Sequence, residues 1–111
     1  MNKGMIKVSV MYPNVEGKHF NMDYYISSHL TLAKQLLGSA LKGVTVEKGL
    51  GSAKPGGVAP FIAIGNMYFD SIEDFEKAFN PNAGKIIGDM HNFTTIQPDI
   101  QISEVIISEL N

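Results

Sequence analysis

Apolar and polar residues alternate near the start of the chain, between Met5 and Tyr12. One side of this stretch carries mainly β-branched and aromatic residues, namely Ile6, Val8, Val10 and Tyr12. The other side carries Lys7, Ser9 and Met11. Because successive side chains of a strand point to opposite faces, this pattern predicts a first β-strand over 5–12, which Pro13 ends.

The period changes to that of a helix between Phe20 and Gly38. At about 100° per residue, one arc of this helix carries Met22, Tyr25, Ile26, His29, Leu30, Leu32, Ala33, Leu36 and Leu37. Asn21 is the predicted N-cap and Gly38 the predicted C-terminal stop, and Phe20 is placed to pack against Tyr25. The pattern predicts a regular α-helix over 20–38.

His29 lies within this apolar stripe, one turn beyond Tyr25. A buried imidazole needs a partner, a water or a ligand for its nitrogens, because an unpaired buried polar group costs about 1 to 3 kcal/mol. His29 is therefore the strongest candidate for a functional residue.

Two further strands are predicted in the middle of the chain. The first covers 43–48, with Val44 and Val46 facing the core, and a flexible loop over 49–60 follows it. The stretch 61–69 is apolar on both sides, which is typical of a central strand. Gly65 and Asn66 interrupt that stretch and are interpreted as a bulge or bend, with a ligand contact of Asn66 as the alternative.

The last third of the chain predicts a helix and a final strand. Ser71 and Asp74 form a capping-box start, and Pro81 ends that helix. A further helical piece is predicted over 83–90 and a last strand over 100–107. The resulting order of strand, helix, strand, strand, helix, strand is that of a ferredoxin-like α+β fold.

This order predicts one domain over residues 1–111, with a four-stranded antiparallel sheet that carries both helices on one face. The other face of the sheet would stay open in a monomer. Hydrophobic residues make up 44% of the chain and charged residues only 18%, against a usual charged share of roughly 25%. We therefore expect a second copy to cover the open face in a homodimer.

Composition also excludes several classes of function. A formal net charge of −2 gives no electrostatic basis for binding nucleic acid. The absence of cysteine excludes disulfides and thiolate metal sites. No segment approaches the ~20 apolar residues of a membrane span, and the N-terminus lacks the apolar region of a signal peptide. We expect a cytoplasmic protein that binds neither membrane nor nucleic acid.

The candidate chemistry centres on His29 as a general acid or base. Tyr25 is a candidate for orienting a substrate, and Tyr12 and Tyr68 are candidates for adding hydroxyls to the same cavity. The structural alternative is a core histidine that bonds a backbone carbonyl, with the tyrosines serving as packing residues. His91, beside Asp89 and Asn92, is interpreted as a solvated helix cap.

The three histidines, His19, His29 and His91, form no close metal-binding pair, so no metal is expected. No G-x-S-x-G sequence is present to supply a serine nucleophile.

The spacing of Phe20, Tyr24, Tyr25 and His29 resembles the F-x-x-x-Y-[YW]-x-x-x-H helix of EthD-like proteins, which are named for ethyl tert-butyl ether degradation. The segments VSVMYP, LKGVTVEKGL, YFDSIEDFEKAF and NFTTIQPDIQISEV resemble the same family. The resemblance implies a dimeric α+β barrel, with a cavity between the sheet and the helices of each subunit. His29 matches the family histidine.

Related barrels include cyclases, lactone isomerases, cofactor-free monooxygenases and haem enzymes. Nothing in this sequence marks an axial haem histidine, so no cofactor is expected. The favoured hypothesis is a cofactor-independent cyclase, isomerase or monooxygenase-type enzyme that acts on a small apolar or aromatic molecule with His29. The alternative is a non-catalytic accessory or carrier protein that serves an oxygenase system in an oxidative degradation pathway. A purely structural role would predict no internal cavity.

Overall fold

The fold is built on one four-stranded antiparallel sheet. A computed structural model describes residues 2–111. Its strands are β1 (Ile6–Pro13), β2 (Gly43–Lys48), β3 (Phe61–Phe69) and β4 (Asp99–Glu104). They lie in the order β2-β3-β1-β4, and every neighbouring pair is antiparallel. This topology confirms the predicted ferredoxin-like α+β fold.

Helical segments connect β1 to β2 and β3 to β4. They are, in chain order, α1 (Met22–Tyr24), a π turn (Tyr25–His29), α2 (Leu30–Leu37), a 3₁₀ turn (Gly38–Ala40), α3 (Ile72–Phe79), a 3₁₀ turn (Asn80–Asn82), α4 (Ala83–Gly88) and a 3₁₀ turn (Met90–Asn92). The first three segments run without a break and are called the first helix below. The prediction of a regular α-helix there is wrong at the π turn.

The predicted helix ends are confirmed. The Asn21 side chain accepts a hydrogen bond from the main-chain N–H of Tyr24, and Ser71 caps Asp74 in the same way. These bonds satisfy main-chain donors that have no partner inside the helix. Gly38 ends the first helix with a φ of 60°, a conformation that a side chain would strain.

Strand β4 ends at Glu104, so the prediction that it extends to Ile107 is wrong. Glu104 pairs with Ile6, the first residue of β1, and Val105 exchanges main-chain hydrogen bonds with Gly4 and Met5. Beyond Val105 the chain has passed the end of β1, the strand with which β4 pairs. A favourable strand sequence remains there, but the main chain has no ladder to join.

The bulge predicted at Gly65 and Asn66 is also absent. Asn66 lies opposite Ser9 on one side and opposite Thr45 on the other, in a regular ladder. The irregular position is instead between Tyr12 and Pro13.

The helix-covered face of the sheet holds two apolar clusters. The aliphatic cluster is centred on Ile6, Val8, Ala33, Leu37, Phe69 and Ile86. The aromatic cluster is centred on Tyr12, Tyr25, Ala63, Phe93 and Ile96. The candidate site lies where the two clusters meet.

Candidate functional site

His29 is the last residue of the π turn and is only 7% exposed. Its Nδ1 lies 2.9 Å from Oδ2 of Asp89, a residue 60 positions further along the chain. The imidazole packs edge-on against Phe93 at a centroid distance of 4.6 Å and stacks on Tyr25 at 5.7 Å. The ring is therefore held by a carboxylate and two aromatic faces, and not by a backbone carbonyl.

The π turn holds one residue more than an α-helical turn, so it changes the directions in which the residues before and after it face. The main-chain N–H of Leu30 donates to the carbonyl of Tyr25, five residues earlier, instead of the usual four. The Ser27 hydroxyl donates to the carbonyl of Asp23 at 2.6 Å, and the Thr31 hydroxyl donates to that of Ser27 at 2.8 Å. These side chains give partners to carbonyls at the wide turn. Turns of this kind are frequent at functional sites.

Asp89 is fixed by three donors. Its Oδ1 accepts from the hydroxyl of Tyr24 and from the side-chain amide of Asn92, each at 2.8 Å, and its Oδ2 faces His29. Desolvation by itself would raise the pKa of Asp89. Hydrogen bonds from Asn92, Tyr24 and His29, together with the charge of His29, outweigh it and hold the pKa below its usual value. Asp89 is therefore ionised at neutral pH.

This carboxylate assigns the tautomer of His29. An ionised carboxylate only accepts hydrogen bonds, so Nδ1 must carry the hydrogen that it donates to Asp89. In the neutral ring Nε2 then has a free lone pair. Within residues 2–111 Nε2 makes no hydrogen bond, and no fully buried side-chain nitrogen or oxygen there lacks a partner. Nε2 is therefore reachable from the space beside the ring.

That space is a partly open cavity of about 80 Å³ between the helices and the sheet. Its lining is mainly apolar and comprises Val10, Leu30, Ala33, Val44, Val46, Met67, Phe79, Ile86, Ile87, Met90, Pro98 and Ile100. The polar side chains on it are His29, Tyr12 and Tyr25. Asn66 also borders the cavity, but its side chain points to the opposite face of the sheet because it pairs with Ser9 and Thr45.

Tyr12 and Tyr25 lie edge to face, with ring centroids 5.8 Å apart. Burial raises the pKa of Tyr25 to about 12. Burial and, to a lesser degree, the nearby Tyr25 raise the pKa of Tyr12 still further. Both phenols are thus neutral hydrogen-bond donors at physiological pH. Within residues 2–111 neither hydroxyl makes a side-chain hydrogen bond, neither hydroxyl oxygen is fully buried, and both residues line the cavity.

Gly65 makes room for one of these hydroxyls. A Cβ built on Gly65 would collide with the Tyr25 hydroxyl oxygen. The glycine is therefore required by the close approach of the first helix to β3, and not by a bend in the strand.

Tyr68 does not share this cavity. It pairs with Lys7 and Gly43 across the sheet, and therefore points to the face opposite the helices, where it borders a shallow groove with Lys7 and Ser103. The expectation that its hydroxyl joins those of Tyr12 and Tyr25 is wrong. Strand β3 is apolar on both sides, so its sequence alone did not reveal which face Tyr68 occupies.

The remaining histidines are exposed. Nδ1 of His91 donates to the carbonyl of Gly88 at 2.7 Å, as expected of a helix cap, and the His19 side chain lies on the surface. Sequence reasoning grouped Asp89 with His91 and missed its pairing with His29. The one available signal was Tyr24, a residue of the family motif, whose hydroxyl contacts Asp89.

Two negative findings complete the description. Among residues 2–111, no helix is long and apolar enough to cross a lipid bilayer. In the same part of the chain, no group of three or more histidine, cysteine, aspartate or glutamate side chains could hold a metal ion.

The chain matches one family model and is similar to several solved structures. The model of the EthD domain matches residues 18–97. Among solved structures, an EthD-like protein from Ralstonia eutropha is 42% identical with a TM-score of 0.91, and the match covers 97% of each chain. An EthD family protein from Bacillus halodurans is 23% identical with a TM-score of 0.63, covering 90% of this chain and 97% of that chain.

A dimeric protein of unknown function with a ferredoxin-like fold, from Bacteroides fragilis, has a TM-score of 0.50 at 12% identity and covers 94% of this chain and 99% of that chain. This likeness concerns the fold alone. No protein of curated function matches the chain significantly. The family model and the Ralstonia relative cover most or nearly all of the sequence, and the chain belongs to the EthD family.

Proposed function

We propose that this protein binds a small apolar or aromatic molecule in the cavity and transfers a proton to or from it through Nε2 of His29. The observation that carries the proposal is the different environment of each ring nitrogen of His29. Nδ1 is held by Asp89, whereas Nε2 has no hydrogen bond within residues 2–111 and adjoins an apolar cavity.

Asp89 makes His29 a better base in two ways. It fixes the ring in one orientation and tautomer, and its negative charge stabilises the imidazolium that forms when Nε2 takes a proton. A positioned acid or base of this kind contributes typically about 10²- to 10⁴-fold to a rate. The step needs no co-reactant, because a proton that His29 takes from one atom can be returned to another.

A carrier role in an oxidative pathway is the second candidate. The Bacillus relative is named for ethyl tert-butyl ether, and the lining of the cavity suits an apolar guest of that kind. Ser27 and Ser28 are exposed and do not supply a nucleophile beside His29. A protein that only shelters its guest for an oxygenase would need the cavity but not the pair of His29 and Asp89.

We further propose that the chain pairs sheet to sheet as a homodimeric α+β barrel. The face of the sheet opposite the helices is left uncovered by this chain, and the relative from Bacteroides fragilis is described as dimeric. Two large apolar side chains that follow β4, Ile106 and Ile107, are also exposed. Such exposure is unusual for a monomer and is typical of an interface.

The test of proton transfer uses 5-nitrobenzisoxazole, a small aromatic probe whose ring opens to a coloured phenolate when a base removes its C–H proton. We expect the wild-type protein to accelerate this reaction. His29→Gln, which keeps the size of the side chain but removes the base, should lower the rate about 100-fold or more.

His91→Gln is the matched control, because it makes the same change at an exposed imidazole. Equal rates in the His29 and His91 variants would refute acid–base catalysis by His29. Binding of the probe, measured by calorimetry, without any acceleration by the wild-type protein would favour the carrier role.

A further inference from the structure

We infer that the molecule taken by this cavity is an enolisable carbonyl compound, whose oxygen is bound by the hydroxyls of Tyr12 and Tyr25 while His29 removes the neighbouring C–H proton. This inference rests on the proposed function and names its substrate class.

The hydroxyls of Tyr12 and Tyr25 are carried by two different elements that meet at the cavity. Tyr12 comes from β1 and Tyr25 from the π turn, and they are only 2% and 5% exposed. Packing holds both rings, and Gly65 admits the Tyr25 hydroxyl against the sheet. Neither hydroxyl oxygen is fully buried, and neither has a side-chain hydrogen bond within residues 2–111, although both residues line the cavity. Both hydroxyls are therefore available to donate to an acceptor that a guest supplies.

The cavity wall carries both hydrogen-bond donors and a hydrogen-bond acceptor. Both phenols are protonated at neutral pH and offer hydrogens, while Nε2 of His29 offers a lone pair. The guest must therefore bring an acceptor oxygen for the two hydroxyls and an acidic hydrogen for Nε2. A carbonyl group with a hydrogen on the adjacent carbon supplies both within one small unit.

The cavity wall disfavours a guest that arrives with a negative charge on its reacting oxygen. No lysine or arginine lines the cavity, and most of the wall is apolar. Burying a free carboxylate there would cost several kcal/mol without a cation to offset it. A neutral carbonyl avoids this cost and acquires negative charge only as the proton leaves, when preorganised donors are most effective.

The step balances without an oxidant or a reductant. Nε2 takes the proton from the carbon next to the carbonyl, and the C–H electron pair becomes a C=C bond. The π pair of the carbonyl moves to the oxygen, where the two phenols donate to it. The imidazolium, paired with Asp89, then returns the proton to the same carbon or to a conjugated one. The net reaction is exchange or isomerisation.

The size of the cavity limits which part of the guest is enclosed. Its volume of about 80 Å³ is smaller than the ~150 Å³ of an engineered cavity that binds benzene. Only the reacting end of a substrate fits inside. Ile87 and Ile100 line the cavity yet are 56% and 63% exposed, so they form its rim. The rest of the guest should be apolar where it passes them.

The first experiment titrates 4-nitrophenol, whose phenolate mimics an enolate and absorbs differently from its neutral form. We expect the wild-type protein to bind it as the phenolate even below its solution pKa, because the phenol proton can pass to Nε2 of His29 and the resulting imidazolium offsets the negative charge. Tyr12→Phe and Tyr25→Phe, which remove only the hydroxyl, should each weaken binding about tenfold, because hydrogen bonds to charged groups contribute about 1.5 to 3 kcal/mol.

Two controls distinguish the loss of a hydrogen bond to the ligand from a general effect of the substitution on the fold. Tyr68→Phe removes a hydroxyl on the other face of the sheet and should leave 4-nitrophenol affinity unchanged. 4-Nitrotoluene has the same shape without the oxygen, and its affinity should be the same in all three variants. If Tyr12→Phe and Tyr25→Phe bind 4-nitrophenol as Tyr68→Phe does, the inference is overturned, whatever His29→Gln does to 5-nitrobenzisoxazole.

The second experiment follows deuterium entering the carbons beside the carbonyl of cyclohexanone in D₂O by NMR. The wild-type protein should accelerate this exchange, and Tyr12→Phe and Tyr25→Phe should each slow it about tenfold. A wild-type protein that opens 5-nitrobenzisoxazole but leaves cyclohexanone unexchanged would overturn the carbonyl assignment while leaving base catalysis by His29 intact.

Discussion

Two polar clusters, each built around a buried side chain, lie on opposite faces of the same sheet, and they differ in how completely their polar atoms are paired. On the open face, Asn66 is 1% exposed and accepts from the Ser9 hydroxyl at 2.9 Å. Its amide nitrogen donates to Thr45 at 3.0 Å and to Glu47 at 2.9 Å. We call these four residues the Asn66 cluster.

The second group, called the His29 site, consists of His29, Asp89, Tyr12 and Tyr25. Its carboxylate is fully occupied, but Nε2 of His29 and both hydroxyls have no hydrogen-bond partner within residues 2–111. A network in which every polar atom is paired stabilises the fold. A network with unpaired polar atoms implies that a bound molecule supplies the missing partners. The comparison separates polar groups that serve the fold from polar groups that serve a guest.

The largest effect on stability is expected from opening the Asn66 cluster. Asn66→Ala removes three hydrogen bonds and leaves a hole in a buried position, so the free energy of unfolding should fall by about 3 kcal/mol. Urea denaturation measures it. Ser9→Ala removes one bond and should cost about 1 kcal/mol, with no change in 5-nitrobenzisoxazole turnover. Loss of turnover in Ser9→Ala would mean that the two clusters are not independent.

Gly65→Ala should displace Tyr25 in the His29 site, because Gly65 lies on β3 directly against the Tyr25 hydroxyl. The new Cβ collides with the Tyr25 hydroxyl, and overpacking of this kind costs typically about 1 to 3 kcal/mol. We expect lower stability together with weaker binding of 4-nitrophenol, measured on the same samples. Gly84→Ala is the matched control, since a Cβ there meets nothing within 4 Å and should stabilise α4 slightly. Unchanged ligand binding in Gly65→Ala would separate Tyr25 from the ligand.

Asp89→Asn tests whether the carboxylate tunes the imidazole. The carboxylate orients the imidazole and stabilises its protonated form, so the rate with 5-nitrobenzisoxazole should fall at least about tenfold, a loss comparable to that of an outer partner in metal sites, while His29 remains in place. Asp70→Asn is the control, because Asp70 lies on the surface, 3.9 Å from Lys42. Equal rates in the two variants would leave His29 acting without Asp89.

The smallest effect concerns stability in acid. The pKa of Asp89 is lowered in the folded protein, so its contribution is complete above the unfolded-state value of about 3.9. It is lost as the pH falls through the lower folded value. The free energy of unfolding should therefore fall more steeply below about pH 4 in the wild type than in Asp89→Asn. The difference should be less than about 1 kcal/mol, because Asp89 is partly exposed. Urea midpoints across this range measure it, and parallel curves would contradict it.

The sequence predicted the fold well because its signals there are local. The alternation of β1 and the caps at Asn21, Gly38 and Ser71 each depend on neighbouring residues, and all are present in the structure. The end of β4 was missed because the length of a strand depends on a partner that starts at Ile6.

The candidate site was only half predictable. The placement of His29 and Tyr25 on one stripe follows from helical periodicity, and Tyr12 follows from strand alternation. The pairing of His29 with Asp89 joins residues 60 positions apart, and no local pattern specifies such a contact. The π turn was also missed, since the same residue types form ordinary α-helices.

The pairing of His29 with Asp89 bridges the two βαβ halves of the chain. Phe93 and Thr94, just beyond Asp89, also bond to the start of the first helix through the Asn21 N–H and the Phe20 bridge. A compound that fills the cavity would therefore contact both halves and raise the melting temperature, by an amount that grows with the logarithm of its affinity. A thermal-shift survey of carbonyl compounds offers a direct route to the natural substrate.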